Sequence, residues 1–492
     1  MKINYILFLL CFVLCAPLLG QSKKGKNKKR EKVKVDLQEV LDNTNRIYTD
    51  NIRTIKFHPF GFPLAEPIVT LNSGGRLILT FDDVDLDVKN YTYSIQQCNK
   101  DWTVNEDINL FDFLDGFENE ILQDYAFSKT RYSDYVHYTL VIPNERIRWK
   151  ISGNYVLKVF DDSDDKNMVL TRRFMVSENK ATVIPDIRVS NKQDQHRSHQ
   201  EIFFDISAEQ EIFTNQISQL SATVIQNAHW NGAATNVKPL FIKQERIEFR
   251  QQNKAVFEAG KEWRFVDMRS LQNRLNFVEA IEEVEEGFDL LIKKEKPRVH
   301  QNYFNSADAN GKYIIQNFDH ISFRRLGNQV RIDTTTTVED LSEEELAERD
   351  QINELVEQIN QSDIERNERE QNLVGEYVLT YFTLDANQPF YGGDVYLFGE
   401  FTDWRIEDQF KLNYNDKMLQ YETEVLLKQG YYNYMYAFQA EKDRGTQKFT
   451  FEEVEGNWFE ADNDYTVLIY YRPFGARYDQ IIGHKTFSSF GR

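Results

Sequence analysis

The chain has 492 residues, 14% of them aromatic, and a formal net charge of −19. That length corresponds to about three domains, and the aromatic excess favours half-buried pleated sheet over helix. Residues 23–34 hold eight basic and one acidic side chain; without them and Lys2, 50 basic and 77 acidic residues remain, a body that repels nucleic acid.

Residues 1–20 read as a signal peptide: Lys2, an apolar run from Ile3 to Leu14, then CAPLLGQS. The run is too short to span a bilayer comfortably. Residues 21–47 read as a flexible basic leader, solvated or touching anionic lipid head groups at a membrane surface. Cys11 and Cys15 depart with the signal, so Cys98 stands alone and is expected as a small buried hydrophobe without a disulfide.

From residue 48 to 180 short strand-like texts recur: YTYSIQQC, VHYTLVIP, GNYVLKVF and LTRRFMV, separated by polar turns. This punctuation predicts an antiparallel sandwich. The piece DINLFDFLDGFENEILQDY interrupts it as an irregular insertion with a helical turn. A second β-rich block is expected over 181–337, with EIFFDIS, LSATVIQN, RIEFRQ, EWRFVDMRS and KYIIQNF as strands. Asn310-Gly311 suits a tight turn because both residues tolerate positive φ. The acidic VEAIEEVEEGFD is expected as a surface helix.

Residues 338–372 carry 13 acidic and three basic side chains without Gly or Pro. Ile352, Leu355, Val356 and Ile359 fall on one helical face, and Ser342 with Glu345 suits its start. An acidic helical segment is expected there. The third domain, 373–475, contains GEYVLTYFTL, GDVYLFGEFTDW, YETEVLLKQGYYNYMYAF and DYTVLIYYRP; residues 476–492 form a tail. The fold class is therefore mainly β: tandem immunoglobulin-like antiparallel sandwiches with one acidic helical linker or insertion.

Chemistry-bearing motifs are sparse. No G-x-S-x-G, H-E-x-x-H, C-x-x-C or P-loop occurs. Asp83, Asp85 and Asp87 begin like a calcium loop, but Val88 and Ser94 stand where Gly and Glu are needed. His196 and His199 lie three apart in a loop-like stretch. No catalytic residue, cofactor or metal is expected, and the reading is of a non-enzyme.

Gly399-x-Phe401-x-x-Trp404, followed by LKQGYYNYMY, resembles the early-set immunoglobulin-like domains that include glycogen-binding modules. That resemblance puts Trp404 at a sugar-stacking position, which makes a periplasmic or surface carbohydrate-binding protein the alternative reading. Trp404, Tyr431 and Tyr432 are the candidate interface or sugar-stacking rings, with core packing as the competing role. Tyr431 and Tyr432 are adjacent, so in a regular strand they point to opposite faces.

Across most of the chain, YTYSIQQCNKDW, FLDGFENEILQDYAFS, YVHYTLVIPNE, SGNYVLKVF, LTRRFMVSE, the QN-x-x-W ending at Trp230, DANGKYII and EGNWFEADNDYTVLIYYRPFGARYDQIIG are similar to the type IX secretion system plug protein family. The resemblance implies a periplasmic, non-enzymatic protein associated with the outer membrane through its partner. That partner is the large β-barrel translocon of the system, whose periplasmic opening the protein seals when no cargo is exported. A monomer with no nucleic-acid partner is expected.

Overall fold

The computed structural model describes residues 43–162, 167–208, 217–243, 246–304, 306–320 and 366–490. The signal peptide, the basic leader as far as residue 42 and most of the acidic helical segment lie outside the described residues; of that segment, 366–372 fall in the helical stretch 366–374. The end of the expected flexible leader is instead a strand, Arg46–Ile47, paired antiparallel with Met168–Ser177. Among the described residues no helix is long and apolar enough to cross a membrane.

The architecture is mainly β, in mostly antiparallel sheets packed face to face; Gly287–Ile292 with Tyr377–Asp385 and Ile68–Thr70 with Met168–Ser177 pair in parallel. In the first sandwich one sheet runs through strands Tyr91–Cys98, Gly153–Asp161 and Met168–Ser177, and the other through Ile52–Pro59, Leu77–Asp83 and Val136–Ile142. Alternation does the sorting: in Tyr91–Cys98, Tyr91, Tyr93 and Ile95 are buried while the residues between them are half-exposed. Tyr155 stacks on Phe174 with centroids 5.1 Å apart, and Phe81 on Tyr138 at 5.2 Å. The insertion contributes a single helical turn, Leu110–Phe113, held by the Asn109 N–H donating to Asp112 Oδ2 at 3.0 Å.

The next two cores do not follow the expected chain order. Strand Leu220–Gln226 pairs in register with Asp464–Tyr471, which in turn pairs with Gln480–Ser488. Text assigned above to the third domain and to a tail thus completes the second sandwich, and Tyr465, Val467 and Ile469 share its core with Ala222 and Val224. Conversely, strands Arg264–Asp267, Val278–Val284, Gly287–Ile292 and Tyr313–Ile315 join Tyr377–Asp385, Gly393–Phe398 and Gly430–Ala440 in one nine-stranded sheet. An edge strand is satisfied by whichever edge reaches it, and strand text names no partner.

The acidic stretch expected as a helix is a hairpin. Val278–Val284 pairs with Gly287–Ile292, closing at Val284 opposite Gly287. Gly287 holds φ at +154°, and Val278, Leu290 and Ile292 reach the core. At the Asn310-Gly311 turn both residues have positive φ, +50° and +83°. A Cβ on Gly311 would lie 2.7 Å from ring atoms of Trp263 and Trp404, so glycine is required there on two counts.

Candidate docking surface and the junction behind it

Strand Leu77–Asp83 is buried along its whole length. Leu77, Leu79 and Phe81 fill the core of the first sandwich, which leaves Ile78, Thr80 and Asp82 on its second face. The carboxylate of Asp82 can only accept. Its Oδ1 lies 2.6 Å from His137 Nδ1, while Oδ2 takes Lys428 Nζ at 2.6 Å and the Tyr377 hydroxyl at 2.7 Å. Lys428 and Tyr377 belong to the nine-stranded sheet, so this knot joins two blocks with both ionic side chains fully buried. Burial alone would push the Asp82 carboxyl up; Lys428 first and then His137 reverse this and hold it below its ordinary value. Lys428 Nζ also donates to the Asn372 carbonyl at 2.5 Å and sits 4.1 Å from the centroid of the Tyr135 ring.

Two further ion pairs cross the same junction, both ending in the GEFTDW segment. Lys56 Nζ meets Glu400 at 2.7 Å, and Arg172 Nη2 meets Asp403 at 2.8 Å. Burial pushes the Lys56 amine down and the Asp403 carboxyl up, each opposed by its partner. Against the second sandwich Val156, Met175 and Cys98 pack on Ile225, Leu468, Tyr470 and Ile481, and the Tyr470 hydroxyl donates to Asn154 Oδ1 at 2.9 Å. Trp102 and Trp230 meet edge-on at 4.9 Å, with the Arg173 guanidinium 4.3 and 5.3 Å from their centroids. Burial brings the Arg173 pKa down to about 10.

This frame decides the fate of the candidate rings. Trp404 is 8% exposed and lies among Trp263, Phe398 and His229, with ring centroids 5.8, 5.8 and 6.1 Å away. Tyr432 is 2% exposed, stacks on Tyr313 at 5.1 Å and donates its hydroxyl to the Lys428 carbonyl. As docking or sugar-stacking surfaces both are corrected: Trp263, Phe398 and His229 cover Trp404, and Tyr313 covers Tyr432. Tyr431 is half-buried, stacked on Phe265 at 5.3 Å with Arg269 5.4 Å from its centroid.

The metal candidates are likewise engaged by protein groups. Asp83 is fully buried and accepts from Tyr91, Asn51 and Lys89, and Lys89 also pairs with Asp85. His199 Nδ1 meets Ser198 Oγ at 2.8 Å, and His196 Nδ1 lies 3.3 Å from the Ser190 carbonyl. No cluster of three metal-ligating side chains occurs among the described residues.

Among the exposed apolar groups that sequence reasoning missed, one run sits in and beside the insertion of the first domain. Phe111 and Phe117 are 74% and 75% exposed, and Ile121, Tyr125 and Phe127 are exposed beside them in sequence. Phe111 and Phe117 wall a cleft of about 700 Å³ with Asp115, Arg146 and Arg148. The segment is braced from the far end of the chain. Arg472 Nη2 meets Asp107 and Arg477 Nη1 meets Asp112, both at 3.0 Å, in the loop that exposes Phe474. The available signal was composition: DINLFDFLDGFENEILQDYAF breaks strand alternation yet keeps its large apolar residues.

Residues 52–178 match the family model described as the Type 9 secretion system plug protein 1st domain. No curated protein matches the chain. Among solved structures, the chain is similar to a hypothetical protein from Parabacteroides merdae. The TM-score is 0.75 at 25% identity, over 91% of this chain and 99% of that one.

Proposed function

From a chain whose residues 52–178 form a type 9 secretion system plug protein 1st domain, we propose a periplasmic stopper. It binds the outer-membrane barrel of that system and closes its periplasmic mouth when no cargo moves. The family match carries this reading, and the junction supports it physically. A barrel wide enough for folded cargo leaks small solutes unless something broad and stiff fills it. Three sheet-built cores, the first tied to the nine-stranded sheet by buried ion pairs and to the second sandwich by an apolar patch, supply that width without needing to rearrange on binding.

A reversible stopper needs a few good anchors more than a large area, because affinity follows hot-spot quality rather than buried surface. The exposed aromatic insertion of the plug domain is the proposed contact. The role is mechanical and asks for no bond chemistry. Sugar stacking by Trp404 would require that ring to leave Trp263 and Phe398, so the saccharide reading loses its main support.

Deleting the protein while keeping the barrel is expected to make the outer membrane leaky to small antibiotics and dyes. Recovery of the barrel from detergent-solubilised outer membrane should fall at least about tenfold with Phe111→Ala/Phe117→Ala, given roughly 1–2 kcal/mol per aromatic anchor. A deletion strain that stays impermeable would overturn the proposal.

A further inference from the structure

The chain is acidic overall, yet one cleft on the nine-stranded block is basic. It encloses about 620 Å³, and of its sixteen lining residues six are Lys or Arg and two are Glu. The inner cations are consumed by the fold. Arg264 and Arg298 bind Glu455, while Lys261 donates to the carbonyls of Arg298 and Gln301. The two lining carboxylates are engaged as well: Glu295 by Arg264, Tyr434 and Tyr436, and Glu262 by Tyr303.

The outer cations are not consumed in this way. Lys293 and Lys296 are exposed, and their ammonium groups form no ion pair among the described residues. Lys294 meets Asp385 only at 3.4 Å while 46% exposed. Apolar surface lies alongside. Phe304 and Phe277 are 80% and 44% exposed, and Tyr303 stacks in parallel on Trp458 at 6.0 Å.

We propose that this cleft binds a short acidic peptide segment of a partner protein, its carboxylates on Lys293 and Lys296 and an aromatic or aliphatic side chain against Phe304. Charge complementarity selects the sign of the ligand, and the surrounding charge limits its length. Fields between exposed groups fade over about 8 Å at physiological ionic strength, so a short segment feels mainly the cleft. A long polyanion would run onto the acidic remainder of the body and be repelled. The apolar wall adds the side-chain burial that a bare anion cannot use, in a volume typical of ligand pockets.

The test is fluorescence anisotropy of the full chain with a rhodamine-labelled short peptide of alternating glutamate and phenylalanine. Saturable binding is expected, weakening as salt rises. It should weaken about tenfold or more in Lys293→Glu/Lys296→Glu and by about tenfold in Phe304→Ala. The same peptide with lysine for glutamate should not bind. All three substituted side chains are exposed, and an unchanged thermal midpoint verifies that the variants fold. Undiminished binding by the charge-reversed variant, or tighter binding of heparin than of the peptide, would overturn the assignment. The cleft and the aromatic insertion lie on different blocks, so this result and the leakage result stand or fall separately.

Discussion

Replacing Lys428 with Met is expected to destabilise the protein by about 3–5 kcal/mol, the usual consequence of stranding one charge of a buried pair. Asp82, its partner, is fully buried and would keep only His137 and Tyr377 as neighbours. Because Asp82 belongs to the first sandwich and Lys428 to the nine-stranded sheet, the loss falls on their junction. Denaturant unfolding followed by tryptophan emission should lose cooperativity, with the first domain melting ahead of the rest. Asp82→Asn combined with Lys428→Met should recover much of the loss, since a neutral pair leaves no unpaired charge. A Lys428→Met protein within about 1 kcal/mol of the parent would show that the knot does not couple the blocks.

Glu455→Gln is expected to cost a similar amount, about 3–5 kcal/mol, through the core of the third block. Glu455 is fully buried and takes Arg264 Nε at 2.9 Å, Arg298 Nε at 2.6 Å and the Tyr436 N–H at 3.0 Å. Burial would raise its carboxyl, but Arg264 and then Arg298 bring it down to about 2 from an ordinary 4.5. A carboxylate depressed in the folded state contributes stability that is fully present above its unfolded value. That stability fades as pH falls from about 4.5 toward 2 and amounts to about 3 kcal/mol. The parent should therefore lose thermal midpoint over that window, and Glu455→Gln should lose distinctly less across it. Equal slopes for the two proteins would sink this account.

Both positions were hard to pick out beforehand, for a definite reason. Lys428 and Glu455 look like ordinary surface residues at a strand end and in a turn. Their importance comes from partners 346 and 191 positions away in the chain. Strand text itself was legible. YTYSIQQC alternates because one of its faces is half-wet, and it, VHYTLVIP and GNYVLKVF each form the expected strand, the last covered on both faces over its first half. LILTFDD carried a finer clue, since a strand apolar on both faces until its last residues is covered on both. The acidic VEAIEEVEEGFD misled through its glutamates: the hairpin keeps them outward on an edge strand, where charge discourages further pairing.

The GEFTDW segment divides the two kinds of information most clearly. The strand that leads into it, Gly393–Phe398, and the short turn Glu400–Thr402 that follows were legible locally, from β-prone text ending at a glycine. Whether Trp404 faced a ligand or a neighbour was not local. Tertiary structure settled it by laying Trp263 and His229 against the ring and by spending Glu400 and Asp403 on Lys56 and Arg172 of the first domain. On its own, the sequence determined the β class, most strand positions and the charge imbalance, because period, composition and net charge are sums over neighbours. Which strands share a sheet, which charges are buried and which aromatic rings stay exposed depend on contacts hundreds of residues apart, and only the folded chain decided them.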